Sequence, residues 1–158
     1  MASAISLNRQ LKLGVTVHDV SRLRRKVIDQ IVRPMDITGT QWWVLTYISL
    51  RPGLSQVRLA EELSLGKVAL GSLVERLTKA RLVERRPDPH DKRANLLFLT
   101  QAGIDFTMEI RRLSAGVQDE ALKDISREDV DIAISVLTRM KENLERIIAA
   151  GGAERDSS

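Results

Sequence analysis

Three sets of side chains in this 158-residue chain can do chemistry. The first is a scatter of cations in the middle of the chain, running through Arg76, Arg85 and Arg86 to Lys92 and Arg93. Such a region can attract a polyanion, because each phosphate neutralised releases condensed counterions; it can equally be a solvated mixed-charge surface. The second is aromatic. Trp42, Trp43 and Tyr47 are three of only five aromatic residues and fall within six positions. His18, Arg22 and Arg25 share one face of an earlier helix and can meet a carboxylate or a phosphate. The third is Asp88, His90 and Asp91, which can be drawn as a metal site, although a proline-rich turn explains them better.

Catalysis finds little support. With no cysteine there is no thiol nucleophile, redox switch, disulfide or cysteine-based zinc site. The two histidines, His18 and His90, lie in different elements, and HExxH, a glycine-rich phosphate loop and GxSxG are all missing. No enzyme activity, cofactor or metal is expected. The net charge is +4, but its distribution is uneven: +4 over residues 1–50, +4 over 51–100 and −4 over 101–158. No segment reads as a signal peptide or a membrane span, so a cytoplasmic protein is expected.

These groups need elements to position them. Leu13, Val17, Val20, Val27 and Ile31 recur at helical spacing and predict a helix over 7–32, ended by Pro34. Thr38 and Gln41 have the spacing of a capping box and open a second helix, which stops before Pro52-Gly53. Ser55 can cap a short third helix. Ser64-Leu65-Gly66 makes a tight break, and a fourth helix runs from about Lys67 to Ala80, supported by a Glu75–Lys79 pair. Leu82–Arg86 and Ala94–Leu99 predict a two-stranded hairpin whose tip, Pro87 to Asp91, continues neither strand nor helix. A fifth helix is expected from Thr100 to about Leu122. A sixth starts at a capping-box-like Ser126-Arg127-Glu128-Asp129 and stops at Gly151-Gly152, with a disordered tail to Ser158.

A short helix, a tight turn and a second helix form a helix-turn-helix, whose second helix fits the major groove. With the hairpin behind it, the predicted fold is mainly α with a small two-stranded β wing. Residues 38–103, TGTQWWVLTYISLRPGLSQVRLAEELSLGKVALGSLVERLTKARLVERRPDPHDKRANLLFLTQAG, resemble the MarR family of bacterial transcription regulators. The ordered set carries the resemblance: LSQVRLAEEL before the recognition helix, LVERLTKARLVERRPDPHD after it, and Asp91-x-Arg93 leading to Leu99-Thr100.

The resemblance implies a winged helix-turn-helix over 35–100. It is flanked by a dimerisation lobe built from 1–34 and 101–150, with 151–158 as tail. Lys67, Val68, Ala69, Gly71 and Ser72 are then expected to face the major groove, Val68 and Ala69 against thymine methyls. Ser55 and Gln56 complete that face. Arg76 is expected to pair with Asp91 and fix the wing, Arg93 to enter the minor groove, and Arg85, Arg86 and Lys92 to hold phosphates. Gly71 departs from the larger polar residues of many relatives, which implies sparse direct base readout. Two copies would place two recognition helices one helical turn apart on a pseudo-palindrome.

The resemblance further implies a small-molecule effector between the lobes. Its candidate contacts are His18, Arg22, Arg25, Trp42, Trp43, Tyr47, Met108 and Arg111, and its expected class is an aromatic carboxylate or the coenzyme A thioester of one. Trp42 is expected in the core rather than in a pocket. The expected function is that of a sequence-specific DNA-binding repressor released from its operator by the effector, its partners being duplex DNA, a second copy and the effector. The alternatives are a winged-helix protein-interaction module without specific DNA binding, and a regulator with no effector.

Overall fold

The computed structural model describes residues 6–91 and 94–153, with side chains through residue 151. The chain divides into two compact units, one ending at Ala115 and the other beginning at Gly116.

In the first unit, α1 (Leu7–Val32) gives way to a 3-10 turn, Arg33–Met35, that admits Pro34. Helix α2 (Gly39–Leu50) begins with the predicted capping box. Thr38 Oγ1 accepts from the Gln41 N–H at 3.2 Å, and Gln41 Oε1 accepts from the Thr38 N–H at 2.8 Å. A further cap, this one a carboxylate, comes from α1: Asp29 Oδ1 accepts from the Gly39 N–H at 2.8 Å. That oxygen stands where a side chain on Gly39 would begin, 2.3 Å from an ideal Cβ.

Strand β1 (Leu54–Ser55) leads straight into α3 (Gln56–Glu62), a turn carrying Ser64 at φ 51°, and α4 (Lys67–Lys79). Strands β2 (Val83–Pro87) and β3 (Asn95–Leu99) follow. The sheet is antiparallel with order β1-β3-β2, and Leu97 lies opposite both Leu54 and Arg85. It therefore has three strands, not the expected two. Leu54–Ser55 is too short for any periodicity to mark, and its pairing is completed by the Gly53 N–H donating to the Leu97 carbonyl at 3.0 Å. Gly53 holds φ 83°, and a Cβ there would come within 3.2 Å of the Phe98 ring. Pro87 also corrects the sequence reading, since it pairs with Asn95 inside β2. An edge strand tolerates proline because one of its sides needs no donor.

The core joins Val44, Leu45 and Ile48 of α2 to Leu59, Leu70, Val74 and Leu77 of the two following helices and to Leu82, Val83 and Leu97 by the sheet. Each is fully or nearly fully buried, which contributes about 1.5–3 kcal/mol per large aliphatic side chain. A second cluster joins Val32, Trp42 and Ile110, the last on α5 (Gln101–Ala121). The start of α5 is stitched to the segment after α4. The Thr100 N–H donates to the Leu82 carbonyl at 3.1 Å, Thr100 Oγ1 donates to the Arg81 carbonyl at 2.6 Å, and the Gly103 N–H donates to Thr100 Oγ1 at 3.0 Å.

The second unit contains the end of α5, a turn with Asp124 at φ 61°, and α6 (Arg127–Ala153). The expected cap is present: the Asp129 N–H donates to Ser126 Oγ at 3.0 Å, and that hydroxyl donates to Asp129 Oδ2 at 2.6 Å. Helix α6 continues through Gly151-Gly152 instead of stopping there. Glycine costs a helix only about 1 kcal/mol per position, so it ends one only when a left-handed turn follows. The tail expected beyond it, residues 154–158, lies outside the described residues. Ile134, Leu137, Leu144 and Ile147 form an exposed apolar stripe along α6. Among the described residues no helix is long and apolar enough to cross a membrane.

Candidate nucleic-acid interface

Helix α4 has one face in the core and one in water. Leu70, Val74 and Leu77 are buried, whereas Lys67, Val68, Ala69 and Ser72 are exposed. Val68 is 85% exposed, more than any other large apolar side chain among the described residues. The N-terminus of α4 is bare in a second sense. Its N-cap is Gly66, no side chain caps it, and its first turn carries no acid. The free N–H groups and the positive end of the helix dipole thus face outward, an arrangement that suits phosphate.

Ser55 and Gln56 flank this face. The Ser55 hydroxyl accepts from the Arg58 N–H at 3.3 Å and so caps α3, giving it a structural duty. Gln56 lies against α4, its Nε2 3.6 Å from where a Cβ on Gly71 would sit.

The wing follows at once. The Asp88 N–H donates to the Ala94 carbonyl at 3.1 Å, and the Ala94 N–H donates to the Asp91 carbonyl at 2.9 Å, closing the tip. Asp88 Oδ1 accepts from the His90 N–H at 2.8 Å, the local bond that makes aspartate a turn residue. Arg86 is held in place: its Nε donates to Glu84 Oε1 at 2.9 Å and its guanidinium lies 4.2 Å from the centre of the Phe98 ring. Arg85 is exposed, and its charge, after the larger effect of the Glu75–Lys79 bond, helps hold the Glu75 carboxyl below the usual range. That predicted pair is formed at 2.8 Å. Lys92 and Arg93 lie outside the described residues.

Among the described residues no ion pair joins Arg76, which is exposed, to Asp91. An exposed ion pair contributes only about 0–1 kcal/mol, too little to hold two mobile side chains together. The hairpin is instead braced by strand pairing and by Arg86 on Phe98.

A cavity of about 270 Å³ opens on the other side of α3. Arg25, Thr40, Trp43 and Tyr47 line it from α1 and α2, and Glu62, Leu63 and Leu65 from the helix-turn-helix turn. Glu62 Oε2 accepts from Arg51 Nη2 at 2.8 Å, and Arg51 lies 5.2 Å from the centre of the Tyr47 ring. The Glu62 bond, the largest influence on it, raises the Arg51 pKa further above its ordinary value.

The cavity gathers three of the eight predicted ligand contacts, Arg25, Trp43 and Tyr47. Trp42, one step round the helix, is buried against Val32 and Ile110. His18 and Met108 are exposed away from it, Arg22 pairs with Asp19 at 3.1 Å, and Arg111 Nη2 donates to Ser49 Oγ at 3.1 Å. Thr40 was legible in principle, since 40, 43 and 47 share a helical face. Glu62, Leu63 and Leu65 arrive through tertiary folding and carry no sequence signal.

A MarR family model matches residues 35–94, the stretch from the start of α2 to the wing. The structure of a mutant E. coli MarR complexed with operator DNA is 28% identical, covering 87% of this chain and 99% of that one at a TM-score of 0.68. Wild-type apo MarR from E. coli is 27% identical, covering 87% of this chain and 98% of that one at a TM-score of 0.68. The central stretch of this chain thus matches the MarR family model, and the chain shares the fold of these MarR structures. A MarR transcriptional regulator from Methanosarcina mazei Go1 shares the fold at 19% identity, covering 84% of this chain and 96% of that one at a TM-score of 0.72. The MarR model thus ends inside the wing, so the family match takes in the exposed face of α4, the bare helix N-terminus and β2.

Proposed function

We propose that this chain is a MarR-family, cytoplasmic, sequence-specific DNA-binding transcriptional regulator, working as a homodimer on a pseudo-palindromic operator, and not an enzyme. The observation that supports it most is the outer face of α4. An exposed Val68 stands beside Lys67 on a helix end with open N–H groups and no acid, with a basic wing directly behind. The MarR complex with operator DNA supports the same use of this fold. A second copy is expected because α1 exposes Leu7, Leu11, Val15 and Leu23 and α6 exposes its own apolar stripe, more than a stable monomer leaves in water.

Arg93→Ala should weaken operator binding by 10-fold or more while the dimer stays intact. Lys92→Ala should weaken binding to all sequences alike and lower the slope of log K against log salt by about one. Fluorescence anisotropy across a salt series measures both. An Arg93→Ala protein with full operator affinity removes the wing from the interface. Binding that ignores salt would instead favour a protein-interaction module.

The regulator reading extends to an effector. Trp43 and Tyr47 offer ring faces, Arg25 a cation and Thr40 a hydroxyl around the cavity, a set that suits a small aromatic carboxylate. Its volume, near the low end for ligand pockets, suits one ring better than a coenzyme A thioester. Repression, relieved when such a ligand favours a form unsuited to the operator, is the expected mode. Titration with benzoate- and salicylate-class acids should quench Trp43 fluorescence and release DNA. Arg25→Ala should then weaken the acid about 10-fold or more. No quenching and no release across the panel would leave a regulator without this effector.

A further inference from the structure

The outer face of α4 is short of groups that read bases. Over its first two turns it exposes Lys67, Val68, Ala69 and Ser72: one lysine that can meet a guanine or a phosphate, one short hydroxyl, and no Asn or Gln to make a two-point contact to an adenine. Arg76 comes nine residues after Lys67, roughly 13 Å further along the helix axis. Gly71 leaves a notch between these residues, one turn from both Lys67 and Val68.

The notch is not empty of chemistry. Gln56, the first residue of α3, lies across it, its Nε2 at ordinary contact distance from the missing Cβ. The side chain is half-buried, yet among the described residues its carboxamide makes no hydrogen bond. The amide atoms remain open to solvent, so they are available to a ligand. Gly71, which it faces, lies one helical turn from Val68, the most exposed apolar side chain of the recognition helix.

We propose that Gln56, and not a residue of α4, is the principal base-reading side chain of this winged helix. Its carboxamide takes an adenine by the N6/N7 edge across the Gly71 notch, while Val68 packs on the methyl of a thymine beside it. Each half-site then carries one A·T position specified from α3. This rests on the proposed function above and adds the base and the residue that reads it.

The test is selection of duplexes from a random pool by the full chain, followed by affinity measurements on the selected operator. The wild type is expected to enrich an adenine at one fixed position in each half-site. Gln56→Ala should lose that preference alone, by about 10- to 100-fold, and keep the others. Replacing that adenine with 7-deazaadenine should weaken the wild type and leave Gln56→Ala unchanged. Gly71→Met, which fills the notch with a helix-favouring side chain, should lose the same position while thermal unfolding stays cooperative. A Gln56→Ala protein that weakens every sequence equally makes Gln56 a phosphate contact and overturns the proposal, as does one with an unaltered preference. A wild type that enriches nothing and binds independently of salt overturns the regulator reading itself, and this inference with it.

Discussion

Gly103→Ala is expected to destabilise the first unit by about 3 kcal/mol or more, and to abolish operator binding with it. In an ordinary helix this substitution stabilises by roughly 0.5–1 kcal/mol, so the sign alone is diagnostic. Gly103 sits in the first turn of α5 and is buried. A Cβ there would lie 2.0 Å from the Leu82 carbonyl oxygen and 2.9 Å from its carbon. Both are backbone atoms, so no side-chain rotation relieves the overlap. The same carbonyl already accepts from the Thr100 N–H. Helix α5 would have to back away, breaking the Thr100 bonds and opening the core at Leu82 and Val83. Overpacking of this kind typically costs about 1–3 kcal/mol, and an immovable backbone puts it at or beyond the upper end. Urea unfolding followed by circular dichroism measures it. A variant within about 0.5 kcal/mol of wild type would show that α5 can slide without loss.

Val68→Glu is expected to do the opposite: leave the fold intact and remove DNA binding by at least 100-fold. At 85% exposure the valine contributes little to the core. Glutamate forms helices better than valine, and a carboxylate in the first turn of α4 gains about 0.3–1 kcal/mol from the helix dipole. The unfolding midpoint should therefore hold or rise slightly. The same carboxylate would face phosphates at the point of closest approach, where a like-charge contact costs several kcal/mol. Gel shifts at two salt concentrations, read beside the urea curve, separate the two effects. Full operator affinity in a stable Val68→Glu protein would mean that α4 does not face the groove.

Legibility followed the physics of each signal. Helix α1 was bounded correctly at 7–32 by its period and by Pro34, and the boxes at Thr38 and Ser126 were visible because capping is local. The Glu75–Lys79 pair was visible for the same reason. Strand β1 was not, because two residues carry no alternation and owe their state to pairing with β3. Pro87 reads as a strand breaker in sequence because only the sheet order makes it an edge residue. Within the candidate DNA face, the in-and-out pattern of α4 could be read directly, whereas the Arg76–Asp91 contact required a distance that no spacing supplies. The cavity behaved likewise: the α2 face that holds Trp43 and Tyr47 could be read, but the turn residues opposite it could not.

The bond from Asp29 to the Gly39 N–H carries a consequence for how such a chain can vary. It closes a ten-residue loop in which a carboxylate and a peptide N–H must meet with no room for a side chain at the second position. The connector from Arg33 to Thr38 is thus matched in length to that bond. An insertion or deletion there would draw the Asp29 carboxylate away from the Gly39 N–H and cost α2 that cap. Tolerance of added residues should be found at the wing tip, and not in this joint.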